Sequence, residues 1–595
     1  MDRSAPPRPH IPTSSNRRLQ VWYGVLFLII AIIITRLFYL QIVRHDHYQQ
    51  AALNDQQKQY SIASERGTIK AHQGSGLVPL VLNEKLYTLY ADPSLVKHPT
   101  SDSQKLATIT KGDSVKYAAL MKTKDSRYQI LGKRFTPQQK TQIEALKLPG
   151  VGLQAQDYRT YPQGTLAAQL LGFVNNDGQG NYGIEQALNK QLTGTPGMLK
   201  AITDASGVPL AASRDNVQVD PKAGDNVVLT INLAMQKELE SYLKQGIERA
   251  KTSSASALIM DPNTGAILAM ANLPTYNPAQ YYNATDASVF TNAAVSSPLE
   301  VGSIMKVLTT TAALDQGVIA ADTSYNDPGS WLIDGSRVKN VEEDGGPGRH
   351  NIAEVLNLSM NTGATWMLMQ MGGGQLNQKA RDQWHDYLTN HFRLGKSTGI
   401  EQGYEANGYI PAPDKGDALN LTYANTAFGQ AMTATPLQMA AALSAAINGG
   451  NYYRPHLVDQ TVASNGKTTT NKPEVVKSKV VSPKVSSEIQ SLMEYVVAGH
   501  LKQGFPYLRF PDNYSVGGKT GTAEIADPNG GYYGDRFNGT YIGFVGGDKP
   551  QYVISVRVSE PHNGGYAGST AAQPIFADLA HMLINNFNVT PKAGS

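Results

Sequence analysis

Three short strings in the second half of the chain contain the residue types that acyl transfer by a serine requires. In chain order they are Ser303-Ile-Met-Lys306, Ser359-Met360-Asn361 and Lys519-Thr520-Gly521-Thr522. A serine hydroxyl is a weak nucleophile at neutral pH, so it needs a nearby base and hydrogen-bond donors aimed at the oxyanion that forms. The strings supply a hydroxyl with a lysine, a hydroxyl with an amide, and a cation with two further hydroxyls.

The first string is predicted to open a buried helix. Ile304, Val307 and Leu308 recur at helical spacing, which places Ser303 and Lys306 one turn apart and facing one cleft. Burial beside apolar residues disfavours a charged ammonium, so Lys306 is expected to accept the serine proton as a neutral amine. Ser-x-x-Lys alone recurs by chance in long chains. Its weight here comes from the two strings that follow it, because the three form one known signature set.

The third string is predicted to lie on a strand at the edge of the cleft. Two apolar runs follow it, Tyr541 to Val545 and Tyr552 to Val558, and both are typical of buried strands. The cation and the hydroxyls suit a substrate carboxylate, and Gly521 allows a ligand backbone to approach closely. An isolated Lys-Thr-Gly would instead be read as a strand end with a solvated lysine.

With these strings, short motifs along most of the chain resemble the class B penicillin-binding proteins, most closely their cell-division branch. The further motifs are Arg36-Leu37, Arg66-Gly67-Thr68-Ile69, Arg159-Thr160-Tyr161-Pro162, Gly183-Ile184-Glu185, Thr435-Pro436-Leu437-Gln438 and Ala572-Gln573-Pro574. The resemblance implies an α/β (α+β) transpeptidase domain in which helices sandwich an antiparallel sheet. It also implies an elongated N-terminal pedestal domain and one transmembrane helix.

The resemblance further implies a peptidoglycan D,D-transpeptidase that β-lactams inhibit covalently. Ser303 would attack the carbonyl between two terminal D-alanines, release the last one, and pass the acyl group to an amine of a neighbouring strand. The implied catalytic residues are Ser303 as nucleophile, Lys306 as general base, Ser359 as proton relay and Asn361 as the amide that orients the donor peptide. The implied substrate-binding residues are Lys519, Thr520, Gly521 and Thr522. The backbone N–H groups of Ser303 and Thr522 would form the oxyanion hole, and no cofactor or metal is implied.

Three alternatives stay open at this point. An elongation-branch transpeptidase would share all three strings. A β-lactam hydrolase or sensor would share them too, but a hydrolase needs a base for deacylation, to which no separate motif can be assigned. An inactive scaffold of the division machinery would not need all three strings intact.

Residues 21–43 form an apolar run long enough to span the ~30 Å hydrocarbon core of a bilayer. Arg36 is the one charge inside the run, and it is expected to snorkel or to pair with a partner helix. The arginines that precede the run predict a cytoplasmic N-terminus and an extracytoplasmic catalytic domain; they are Arg3, Arg8, Arg17 and Arg18. The run lacks a following small-residue cleavage site, which predicts an uncleaved anchor.

The predicted organisation has five segments. They are a cytoplasmic tail (1–20), the anchor (21–43), the pedestal (44–222), the transpeptidase domain (223–588) and a C-terminal tail (589–595). The resemblance implies a SEDS-family glycosyltransferase as partner in the membrane, with peptidoglycan stem peptides as substrate.

Composition excludes several other classes of protein. The 595-residue chain has no cysteine, which removes disulfides, thiolate metal sites and thiol nucleophiles. The net charge of +4 is too small for this length to indicate nucleic-acid binding.

Overall fold

The computed structural model describes residues 16–48, 57–124, 126–202, 217–341 and 345–594. The helices are α1 Asn16–Phe38, α2 Pro99–Thr110, α3 Ser114–Met121, α4 Pro137–Ala145, α5 Ala168–Leu171, α6 Gly183–Ala187, α7 Asn189–Thr193, α8 Leu233–Ala250, α9 Ala293–Ser296, α10 Met305–Asp315, α11 Ile352–Asn357, α12 Asn361–Met371, α13 Gln378–Asp386, α14 Leu419–Thr426, α15 Pro436–Ile447, α16 Pro483–Lys502 and α17 Gln573–Asn586.

The strands are β1 Gln57–Ile62, β2 Ile69–Gln73, β3 Gly76–Ala91, β4 Gln129–Phe135, β5 Val151–Thr160, β6 Phe173–Val174, β7 Gly180–Asn181, β8 Gly197–Ile202, β9 Val217–Val219, β10 Asn226–Asn232, β11 Ser254–Met260, β12 Ile267–Leu273, β13 Ser324–Asp327, β14 Ser330–Ile333, β15 Ser336–Lys339, β16 Gly348–Asn351, β17 Tyr452–Tyr453, β18 Val458–Val462, β19 Thr468–Thr470, β20 Val475–Lys477, β21 Ser515–Ala526, β22 Tyr532–Gly546 and β23 Pro550–Ser559.

The chain divides into two compact units. The first comprises Met1–Ser64 with Thr195–Lys222, and the second comprises Glu65–Gly194 with Ala223–Ser595. Among its described residues, the first unit contains α1, which continues as a π-helical turn, and an antiparallel sheet in the order β1-β8-β9. Within the described part of the chain, Arg17–Val43 is the one helix long and apolar enough to cross a membrane, with a mean hydropathy of 2.4.

The second unit begins with a sheet in the order β19-β18-β10-β2-β3-β4, and β5 pairs with β3 beside it. A buried ion triad ties β5 to α6. The carboxylate of Glu185 contacts Arg66 Nη2 at 2.5 Å and Arg159 Nη2 at 2.7 Å, and the Glu185 side chain is fully buried. Removing one member of such a triad leaves an uncompensated buried charge. The three side chains therefore stabilise the packing of β5 against α6 together.

The C-terminal part of the second unit is organised by an antiparallel sheet in the order β12-β11-β23-β22-β21. Successive residues of a strand point to opposite faces. On β22, Tyr541 packs in the apolar cluster that includes α8 and α17, whereas Ile542 packs in the cluster that includes α10, α15 and α16. Helices therefore cover both faces of the sheet, which confirms the predicted sandwich.

Local sequence signals define helix α16, which precedes β21 in the chain. Ser482 caps α16 by accepting a hydrogen bond from Val485 N at 3.3 Å, and Pro483 occupies the first turn, where its missing N–H leaves no bond unmade. The helix ends at Lys502, and β21 follows as the edge strand of the sheet. The predicted order of helix and then edge strand for the third string is thus confirmed.

Candidate active site

The nucleophile string folds as a 3-10 turn, Gly302–Ile304, that leads directly into α10. Lys306 Nζ lies 2.8 Å from Ser303 Oγ. The Lys306 side chain is fully buried, while Ser303 is half-buried. The predicted helix is confirmed, and the hydroxyl has an amine within hydrogen-bond reach, as an activated serine requires.

The second string brings another hydroxyl to the same amine. Ser359 lies in the turn after α11 with a left-handed backbone, φ +56°. Its Oγ is 3.2 Å from Lys306 Nζ and 2.9 Å from Lys519 Nζ, and Lys306 also donates to its carbonyl oxygen. Lys519, like Lys306, is fully buried. One hydroxyl therefore joins residues of all three strings.

Asn361 is the first residue of α12, two positions after Ser359. Its Nδ2 donates to the carbonyl of Lys339 at 3.1 Å, which ties the amide to β15. The next residue, Thr362, donates from Oγ1 to the buried carboxylate of Asp327 at 2.8 Å. Two upstream strands, β13 through Asp327 and β15 through Lys339, thus fix the start of α12. The sequence analysis missed the contact of Asp327 with Thr362 because no local pattern links these two residues.

The third string lies along edge strand β21. Besides Ser359, Lys519 Nζ donates to the Thr520 carbonyl at 3.1 Å, and Thr520 is half-buried. Thr522 Oγ1 accepts from Gly568 N at 3.0 Å, so a turn before α17 fixes this side chain.

The turn that bears Ser303 packs against backbone on two sides. Gly302 N donates to Gly429 O at 3.0 Å, and a Cβ added to Gly429 would lie 2.1 Å from Gly302 O. On the other side, a Cβ at Gly302 would lie 2.6 Å from Thr522 O. Thr540 Oγ1 also donates to the Val301 carbonyl at 2.8 Å. These contacts bring the backbones of Gly302 and Thr522 together, and the sequence analysis had not singled out Gly429 or Thr540.

Glu300 precedes Ser303 by three residues and lies partly buried. Its Oε1 accepts hydrogen bonds from Ala431 N and from the Tyr532 hydroxyl, both at 2.9 Å. Burial raises the pKa of the Glu300 carboxyl. Glu300 thus links the segment before Ser303 to the backbone at Ala431 and to strand β22 at Tyr532. The sequence analysis missed Glu300 because a single glutamate forms no recognisable motif.

Comparison with known proteins assigns this arrangement to a family. Residues 255–581 match the family model described as the penicillin-binding protein transpeptidase domain, which spans more than half of the chain. The chain belongs to the penicillin-binding protein transpeptidases. Residues 61–229 of this transpeptidase match a second family model, the penicillin-binding protein dimerisation domain.

Individual relatives cover nearly the whole transpeptidase. Stage V sporulation protein D of Bacillus subtilis is 31% identical over 583 residues, covering 97% of this chain and 87% of that protein. Peptidoglycan D,D-transpeptidase FtsI of Escherichia coli is 26% identical over 593 residues, covering 97% and 93%. The crystal structure of penicillin-binding protein 2X from Streptococcus thermophilus aligns with a TM-score of 0.70 at 24% identity, covering 88% of this chain and 79% of that one. This last likeness shows the shared fold.

The packing at the nucleophile turn predicts the effect of Gly429→Ala. The new Cβ would meet Gly302 O at 2.1 Å and would strain a backbone with φ +84°, so the turn that bears Ser303 must shift. We expect the rate of Ser303 acylation by penicillin to fall by more than about tenfold, measured by stopped-flow or by quenched mass spectrometry.

Gly317→Ala, at the end of α10, is the matched control. It has the same kind of strained backbone, φ +67°, but nothing lies within 4 Å of its added Cβ. Its acylation rate is expected to stay near that of the parent. Equal rates in the two variants would mean that the contact at Gly429 does not position the nucleophile.

Proposed function

We propose the residue roles by which this chain, a serine-type peptidoglycan D,D-transpeptidase, cross-links stem peptides. The observation that carries the proposal is the 2.8 Å contact between Ser303 Oγ and Lys306 Nζ in a buried setting. A neutral amine at that distance can take the serine proton as Oγ bonds to the carbonyl carbon between two D-alanines.

The carbonyl oxygen then becomes an oxyanion held by the backbone N–H groups of Ser303 and Thr522. When the tetrahedral intermediate collapses, the carbon–nitrogen bond breaks and D-alanine leaves. Its nitrogen receives the proton held on Lys306 by way of Ser359 Oγ, which lies 3.2 Å from Lys306 Nζ. An amine of a second stem peptide then attacks the ester and gives up a proton through the same relay. The Ser303 hydroxyl is restored.

Substrate binding is assigned to the edge strand and to α12. Lys519, Thr520, Gly521 and Thr522 form the site for the terminal carboxylate, in which a cation and hydroxyls supply charge-assisted hydrogen bonds. Asn361, whose amide nitrogen is tied to Lys339 O at 3.1 Å, orients the donor peptide. β-Lactams, which resemble the D-alanyl-D-alanine end, acylate Ser303 and remain attached.

We assign the enzyme to septal wall synthesis during cell division. The support is the relative named peptidoglycan D,D-transpeptidase FtsI, which aligns over 97% of this chain.

The proposed division of the chain keeps the anchor at 21–43, the pedestal at 44–222 and the transpeptidase domain at 223–588. The proposed membrane partner is a SEDS-family glycosyltransferase that contacts the anchor and the pedestal. Co-purification of the pair from solubilised membranes tests this contact.

Thr520→Val tests the carboxylate site. Valine keeps the shape of threonine but lacks the hydroxyl, so one hydrogen bond to the carboxylate is lost. We expect the rate of acylation by penicillin to fall about tenfold, while acylation by penicillin methyl ester, which lacks the carboxylate, changes little. Equal losses with both compounds would remove Thr520 from the carboxylate site.

The proposed orientation places the N-terminus in the cytoplasm, and the absence of cysteine from the sequence makes it directly testable. Single cysteines are introduced as Ser4→Cys in the tail and Thr468→Cys on the exposed strand β19. A membrane-impermeant maleimide should label the second variant in intact spheroplasts and the first only after lysis. The reverse labelling pattern would contradict the orientation.

A further inference from the structure

A buried histidine that the mechanism does not use lies behind the active site. His500 is in the last turn of α16 and is only 6% exposed. Its Nδ1 is 2.7 Å from Gln573 Nε2, at the start of α17. The backbone of Asn357, the last residue of α11, is hydrogen-bonded to the ring as well. An amide N–H that points at Nδ1 makes that nitrogen an acceptor, which assigns the proton of the neutral ring to Nε2 and makes the Asn357 carbonyl its backbone acceptor.

Asn357 connects this ring to the catalytic centre. Ser359 follows it by two residues through a tight turn, in which Ser359 N donates to Leu356 O at 3.2 Å. Helix α16 also packs closely against Asn357 at Gly499, the residue before His500, because a Cβ added to Gly499 would lie 2.0 Å from Asn357 Oδ1. A shift of Asn357 therefore moves the hydroxyl that lies between Lys306 and Lys519.

We propose that His500 is a positioning residue which, as a neutral ring, holds the Asn357 carbonyl and thereby places Ser359 Oγ between the two lysines. The inference rests on the proposed function of Ser359 and deepens it. His500 touches no reacting atom and acts only through the turn that it anchors.

The ring has to be neutral because of its surroundings. Burial, and next the positive charge of Lys519 on β21, lower the pKa of His500 to about 4. The other titratable groups at this cluster surround Gln573: the Tyr507 hydroxyl is 3.0 Å from Gln573 Oε1, and Tyr541 on β22 also interacts with Gln573. Burial raises the pKa of both tyrosines, that of Tyr507 to about 12, so they stay uncharged. An imidazolium here would face Lys519.

Gln573→Glu tests the proposal because it places a carboxylate of the same shape against Nδ1. A carboxylate favours the charged ring, so it raises the pKa of His500. Below the raised pKa the ring is cationic and repels Lys519, and above it the neutral ring returns. The ratio of the variant's Ser303 acylation rate to the parent's is measured with penicillin from about pH 5 to about pH 9, using the full-length chain in detergent. We expect this ratio to be at least about tenfold lower at the acid end and to recover as pH rises.

The double variant, His500→Gln with Gln573→Glu, is the control, since it has no ring to titrate. Its ratio to the parent should not vary with pH. A flat ratio in Gln573→Glu, or the same transition in the double variant, would overturn the proposal. Circular dichroism at each pH shows whether the variants remain folded.

A second pair of variants keeps the proposal testable if Gln573→Glu does not fold. His500→Gln retains an N–H that can reach the Asn357 carbonyl, whereas His500→Leu retains none. The acylation rate should fall about tenfold further in the leucine variant than in the glutamine variant. Equal rates in the two would overturn the proposal. A parent enzyme that penicillin does not acylate would instead refute the proposed function on which the inference rests.

Discussion

Two buried lysine side chains meet at one serine hydroxyl, and the chemistry of the site depends on this arrangement. Ser359 Oγ is 3.2 Å from Lys306 Nζ and 2.9 Å from Lys519 Nζ. Two ammonium charges so close together and out of water are strongly disfavoured, so the site favours one neutral amine and one cation. In the proposed roles, Lys306, whose Nζ is 2.8 Å from Ser303 Oγ, is the neutral base, and Lys519 on edge strand β21 is the cation for the substrate carboxylate.

The fold provides this meeting point from three separate elements. Lys306 comes from the first turn of α10, Ser359 from the turn after α11, and Lys519 from β21. Helices α10 and α11 share one apolar cluster with the inner face of the sheet, so packing sets their relative positions. Close backbone contacts at Gly302 and Gly429 then set the turn that bears Ser303 against Thr522, which is the proposed location of the oxyanion hole. The site is thus held by backbone contacts and core packing.

Much of this arrangement is predictable from local sequence. The capped helix α16, the strands β22 and β23 and the edge strand β21 follow from Ser482-Pro483 and from apolar periodicity. The meeting of Ser303, Lys306, Ser359 and Lys519 follows from three strings whose residue types make sense only together. Contacts between segments distant in sequence were not predictable. Gly429 and Thr540 make hydrogen bonds that involve backbone carbonyls, and His500 makes one with the Gln573 side chain. Contacts of this kind leave no spacing pattern in one chain. The motifs that contain Arg66, Arg159 and Glu185 were recognisable in the sequence, but the contacts between these three side chains were not predictable.

The most direct test of the account is the intact mass of the full-length chain, purified in detergent and incubated with penicillin, beside its Ser303→Ala variant. The account predicts a stable adduct of one penicillin on the parent and none on the variant, because Ser303 is the nucleophile and deacylation by water is slow. An adduct on both proteins would contradict the assignment of Ser303. No adduct on either, with both proteins folded, would contradict the claim that the two lysines and the serine hydroxyls form a working acyl-transfer site.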